Sequence, residues 1–145
     1  MAQVNPYLMF NGNCAEAFDF YKSVFGGEFK TKSAFGDMPP QDGEPPMDAA
    51  DAKRIMHMSL PLSAETLLMG SDTHPRYGDT KMGGNISLSV DVKSQEEADK
   101  IFNGLAADGV VRMPIAMTFW NAYFGMLTDK FGIEWMVNYD HPQAQ

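Results

Sequence analysis

The chain has 145 residues, of which 44% are hydrophobic and 21% charged, about one ordinary domain with enough apolar side chains to pack a core. Eleven bases against nineteen acids give a formal net charge of -8; that field repels DNA and anionic lipid, so nucleic acid and membrane are not expected partners. One cysteine, Cys14, leaves no intrachain disulfide and no cysteine-cluster metal site; with no signal-peptide pattern at the start and no apolar run of membrane-spanning length, the expectation is a cytoplasmic protein.

The first predicted element is a strand over Asn5–Phe10, with Leu8 and Phe10 on one face and Asn5, Tyr7 and Met9 on the other. A helix follows, opened by Asn13 with Glu16 three residues on as in a capping box. Ala17, Phe20, Tyr21 and Val24 form its apolar stripe, and Gly26-Gly27 stops it. A strand over Glu28–Phe35 leads into Gly36–Ala52, which holds five of the acids, Asp37, Asp42, Glu44, Asp48 and Asp51, no base, and four of the nine prolines. Residues 36–52 have neither helical nor strand periodicity and are read as one long surface loop, either a lid or a tolerated insertion. Strands over Arg54–Leu60 and Glu65–Ser71 complete the first half.

The second half repeats the pattern. A strand over Asn85–Val90 points Ile86, Leu88 and Val90 one way and Asn85, Ser87 and Ser89 the other; a helix opens at Ser94, with Glu97 three residues on, and places Ala98, Ile101, Phe102 and Leu105 on its stripe. Each of these helix positions lies 81 residues after its counterpart in the first half, which argues for a duplicated unit. Strands over Val110–Met117, Asn121–Thr128 and Ile133–Tyr139 follow. The expected fold class is α+β: one domain over 1–145 built from two tandem βαβββ modules, about 4–72 and about 83–140, forming a curved mixed sheet with helices outside and a concave trough inside. The trough is the natural small-molecule site.

Several stretches resemble the vicinal-oxygen-chelate superfamily, the glyoxalase and bleomycin-resistance fold, and within it the PhnB-like branch that is often labelled as resembling a 3-demethylubiquinone methyltransferase. The carriers are Asn5-Pro-Tyr-Leu-Met-Phe10, Phe20-Tyr21-Lys22, Ile55-Met-His57-Met-Ser-Leu60, Thr118-Phe-Trp120, Tyr123 through Asp129-Lys-Phe-Gly132, and Trp135-Met136. The resemblance implies metal-ligand positions at Asn5, near Met69, at Asn85 and at Met136. Amides and thioethers there are a poor set for the metals these enzymes use, which prefer imidazole and carboxylate.

The expected function is therefore metal-independent binding of a small molecule, with no cofactor, through Asn5, Tyr7, His57, Asn85, Ser87, Trp120, Tyr123 and Met136. The alternative is a lyase or transferase of the same superfamily, with His57 and Glu134 as catalytic candidates holding a recruited divalent metal. A third possibility is an oligomerisation or regulatory role in which side chains fill the trough. His74 and His141 are read as surface residues, and Trp135 and Val137 as core. Cys14, in the first helical turn, is read as inert because no partner is suggested for it. Gly26-Gly27 and Gly83-Gly84 make no phosphate-binding motif, so nothing in the residues points to a methyl-donor site. The resemblance also implies a homodimer in which the partner completes each trough; open sheets expose strand edges that such pairing can cover. Sedimentation at micromolar concentration should give twice the chain mass of 16.1 kDa, and a monomer would contradict the expectation.

Overall fold

The computed structural model describes residues 2–39, 43 and 45–142. Two compact units divide the chain, Met1–Lys81 and Met82–Gln145. The first contains β1 (Tyr7–Phe10), α1 (Cys14–Phe25), β2 (Thr31–Ala34), a short helix α2 (Ala49–Ala52), β3 (Ile55–Pro61) and β4 (Leu67–Asp72), with single 3-10 turns at Phe35–Asp37 and Pro75–Tyr77. The second contains β5 (Leu88–Asp91), α3 (Gln95–Ala106), β6 (Val110–Met117), β7 (Ala122–Thr128) and β8 (Glu134–Asp140). Strand order is β1-β4-β3-β2 in one sheet and β5-β8-β7-β6 in the other. In each the first strand pairs parallel with the last, and the other pairs are antiparallel. From β1 to β5 and from α1 to α3, both ends are displaced by 81 positions. The fold is α+β with two βαβββ modules. No helix among the described residues is long and apolar enough to cross a membrane.

Several details differ from the expected pattern. Strands β1 and β5 start at Tyr7 and Leu88, so Asn5, Asn85, Ile86 and Ser87 precede them. Pro6 has no N–H to give a ladder; its carbonyl accepts from Met69 N at 3.1 Å, and the paired register begins one residue later with Tyr7 opposite Met69. Ile86, expected on the helix side, is 75% exposed.

The buried stripe of α1 is Cys14, Ala17, Phe18 and Tyr21, not the later set containing Phe20 and Val24. Phe18 is admitted because β4 has Gly70 beneath it. A Cβ at Gly70 would stand 2.7 Å from the Phe18 ring and 2.8 Å from the Leu8 carbonyl. In α3 the buried residues are Ala98, Ile101, Phe102 and Leu105, as the spacing predicts. Gly125 plays the corresponding part there, with Phe102 occupying the space a side chain would take.

Asn13 makes no side-chain cap on α1. The Asp72 carboxylate, 2% exposed at the end of β4, replaces it: Oδ1 accepts from Gly12 N and Cys14 N, each at 2.9 Å, and Oδ2 accepts from Ile55 N at 2.8 Å. A helix start presents unpaired N–H groups and positive dipole, and an anion satisfies both. Helix α3 follows the sequence expectation more closely, with Ser94 Oγ accepting from Glu97 N at 3.1 Å. Glu97 reaches back to Lys93 N at 3.2 Å, one residue before the position a full capping box would use.

The 36–52 segment is not one structureless loop, since Asp48 caps the single-turn α2 by accepting from Asp51 N at 2.8 Å. Asp37 likewise accepts from Ala34 N at 2.9 Å and holds the turn at Phe35. Local side-chain bonds of this kind leave no periodicity to read. Asp42 and Glu44 lie outside the described residues.

Replacing Gly70 with Ala should lower stability by about 1–3 kcal/mol through overpacking against Phe18 and the β1 backbone. Urea unfolding measures it; a midpoint equal to wild type would mean that the helix can move away without loss.

Candidate functional site

Each sheet is covered by its helix on one face, so the other face is the one available for binding. In the first unit β-strand alternation sends Leu8, Phe10, Met58, Leu60, Leu68 and Gly70 to the helix side. It sends Tyr7, Met9, His57, Ser59, Met69 and Ser71 to the other. The register forms a row across all four strands, Tyr7 to Met69 to Ser59 to Thr31. Next to it stand two polar pairs. Tyr7 Oη and His57 Nδ1 share a hydrogen bond at 3.3 Å, with the rings stacked at 5.7 Å. Ser71 Oγ donates to Met9 Sδ at 3.4 Å. The phenol fixes the orientation of the imidazole, whose Nε2 remains the ring's second hydrogen-bonding position.

In the second unit the corresponding face carries a row Ser89, Met136, Met126 and Met113. Phe124 and Asn138 pair beside it, and the Trp120 ring stands edge-on to Phe124 at 6.1 Å from the β6–β7 turn. Asn138 Nδ2 donates to Asp91 and Asp140, each at 3.1 Å. Glu134 faces Arg112 at 3.7 Å, and Arg112 Nε donates to Thr128 Oγ1 at 2.7 Å. Ser87 lies just before β5 and is partly buried, while Asn85 is exposed.

Tyr123 is on the opposite face from the rest of the candidate set, which corrects its expected place in the trough. It pairs with Tyr139, and its phenol donates to Asp99 on α3 at 2.5 Å. That bond to a carboxylate, more than desolvation, raises the phenol's pKa above its ordinary value. The turn before β7 contains Asn121 at φ 66 and is closed by Thr118 N donating to the Ala122 carbonyl. The register with β8 decides which parity faces the helix, since Tyr139 lies on the same side as Trp135 and Val137. Trp135 and Val137 lie in the core on the helix side, 1% and 0% exposed.

The four positions that the fold would use for a metal do not fit one. Asn5 Oδ1 accepts from Leu67 N at 3.0 Å, which makes it the end-stop of β4. Met69 and Met136 offer thioethers, and Asn85 an exposed amide. Such donors suit soft copper and not zinc, nickel, manganese or iron. Among the described residues no three His, Cys, Asp or Glu side chains are grouped to hold a metal ion. His57 and Glu134 belong to different units, each with its own partner, Tyr7 and Arg112. His74 is more engaged than a solvated loop residue: its Nδ1 accepts from Arg76 N at 3.1 Å, and its ring packs on Phe35 and Tyr77. His141 packs on Tyr139 and contacts Gln95 Oε1 at 3.3 Å. Two buried carboxylates, Asp72 and Asp129, were not singled out by sequence. A lone Asp at a strand end carries no pattern; only its ring of N–H donors identifies it.

Residues 2–138 match the protein family described as 3-demethylubiquinone-9 3-methyltransferase. A curated relative, Protein YjdN of Escherichia coli (strain K12), is 34% identical over 140 residues, covering 93% of each chain. Among solved structures, protein PA1353 from Pseudomonas aeruginosa is 43% identical with a TM-score of 0.82, covering 98% of this chain and 100% of that one. The PhnB protein from Bacillus cereus is 27% identical with a TM-score of 0.74, covering 95% and 99%. A glyoxalase/bleomycin resistance protein/dioxygenase family enzyme from Burkholderia phytofirmans PsJN shares the fold at 15% identity, with a TM-score of 0.63 over 97% and 100%.

Cys14 is fully buried, and its thiol pKa is raised by desolvation and, secondarily, by the Asp72 charge. The reactive species is the thiolate, so a raised pKa removes it at ordinary pH. Iodoacetamide at pH 8 should leave the folded protein unmodified and alkylate it in urea. Alkylation of the folded protein at the unfolded rate would contradict the burial.

Proposed function

The chain belongs to the family described as 3-demethylubiquinone-9 3-methyltransferase, in the PhnB-like branch of the glyoxalase and bleomycin-resistance superfamily, and on that premise we propose that it binds a small organic molecule without a metal. The binding surface is the sheet face turned away from the helices. One observation carries this reading: those faces place thioethers and aromatic rings around a few oriented polar groups. Tyr7, Met9 and Met69 share a face with His57 in one unit, and Met113, Met126, Met136 and Phe124 share a face with Asn138 in the other. Thioethers adapt to irregular apolar shapes, rings supply area, and the few polar groups fix orientation. His57, held by Tyr7, is the hydrogen-bonding anchor of this reading.

Methyl transfer is not part of it. Gly26-Gly27 follows α1 and Gly83-Gly84 precedes β5, so neither pair is the strand-to-helix glycine turn that cradles a dinucleotide's phosphates. Glu134, half-buried against Arg112, is a charge partner and not a metal ligand. In this reading the protein works in the cytoplasm as a homodimer.

Native mass spectrometry of protein purified without chelator should show a retained small organic molecule and no stoichiometric transition metal. Stoichiometric metal surviving gel filtration would overturn the metal-free reading. His57→Ala should weaken rebinding of the retained molecule by about fivefold to tenfold, the value of one oriented hydrogen bond. Unchanged affinity would remove His57 from the site.

A further inference from the structure

Described residues of the proline-rich insertion, together with the Pro75–Tyr77 turn, line a cavity of about 500 Å3, apart from the sheet faces described above. This lies within the range of roughly 300–1,000 Å3 typical of small-molecule sites. Three pieces of chain build it. The Phe35 turn is held by Phe35 N donating to the Arg54 carbonyl at 2.9 Å. Helix α2 sits tightly beneath, since a Cβ at Gly36 would come within 2.9 Å of the Ala52 carbonyl oxygen. The Pro75–Tyr77 turn is anchored where Arg54 donates to the Thr73 carbonyl at 3.1 and 3.2 Å and to Thr73 Oγ1 at 2.8 Å.

Aromatic rings, thioethers and prolines make up most of the walls. The His74 ring is edge-on to Phe35 at 5.1 Å and tilted against Tyr77 at 5.4 Å. The thioethers of Met38 and Met47 and the rings of Pro45 and Pro46 complete the lining. These are side chains able to fill a void, yet Tyr77 is 80% exposed and both methionines stand partly in solvent. Because His74 Nδ1 accepts from Arg76 N, the neutral ring of this lining residue carries its proton on Nε2 and can donate there. Beside Arg76 the lining is aromatic, thioether and proline, walls that leave a charged ligand poorly solvated and so favour a neutral one.

We propose that this insertion is a second ligand site, taking a neutral, planar aromatic molecule that bears a hydrogen-bond acceptor for His74. The rings stack it, the methionines adapt to its edge, and the prolines, whose backbone is already restricted, lose little entropy on contact with it.

Quinoline, a neutral bicyclic ring with one acceptor nitrogen, tests this by amide NMR titration of the full chain. Saturable shifts are expected at Phe35, Gly36, Met47 and Tyr77. Tyr77→Ala should weaken binding by about threefold to tenfold, the value of one aromatic contact, with an unchanged melting temperature because the side chain is exposed. Met47→Ala serves as the second variant should the first melt early. Naphthoate, the anionic analogue of similar shape, should bind more weakly. The proposal fails if no saturable shift occurs in the millimolar range, or if shifts are confined to the open-face residues Tyr7 and His57. It also fails if both variants bind like wild type, or if naphthoate binds as well as quinoline.

Discussion

The carboxylate of Asp72 joins three parts of the first unit that are far apart in sequence. It accepts from the backbone at Gly12 and Cys14, where α1 starts, and at Ile55, where β3 starts, while its own backbone ends β4. A charge so deeply buried is tolerated only when several donors replace its water. The requirement is reciprocal, because the first turn of a helix leaves N–H groups unpaired. Satisfying both places α1 relative to β3 and β4, and with it which sheet face the helix covers. Tyr7 and His57 face away from α1 because Leu8, Phe10 and Met58 are held toward it.

Asp129 plays a comparable role in the second unit without copying the first. Its Oδ1 accepts from Phe131 N and Ile133 N, and Oδ2 from Trp135 Nε1, which pins the β7–β8 turn and the largest side chain of that core. The duplicated architecture therefore keeps strand order and helix position while changing the local bonds that secure them. Phe18 and Asp99 show the same drift. They stand 81 positions apart, yet one packs on Gly70 and the other accepts from Tyr123. Equivalent positions in the two halves need not share a job, so the metal-ligand places of the fold can become an end-stop amide at Asn5 and a thioether at Met136.

Much of this was legible in the chain. The second helix could be read residue by residue, because Ser94 and Glu97 cap it and its four apolar positions all become buried. The strand parities of Tyr7, His57, Trp135 and Met136 were also legible, since alternation along a strand is a local rule. The first helix was misread by a turn of its face. Phe18 and Phe20 are equally apolar, and only the absence of a side chain at Gly70 selects Phe18. Tyr123 falls on the helix side because its partner across the β7–β8 register is Tyr139, a pairing between strands that residues within β7 do not reveal. His74 reads as a surface residue and the insertion as one long loop, either a lid or a tolerated insertion, because the bonds shaping them come from Arg54, Asp37 and Asp48, none of which repeats with a period.

The sequence by itself determined the two βαβββ halves and their matching helices, which rest on periodicity and capping residues carried within short windows; the family resemblance added four metal-ligand positions, and the residues there are amides and thioethers. Only the tertiary structure decided that Asp72 and Asp129 are interior anchors, that Tyr123 ties α3 to its sheet, that His57 is paired with Tyr7, and that described residues of the acidic segment line a cavity. Each of these depends on groups brought together from different elements of the chain, which leaves no local pattern.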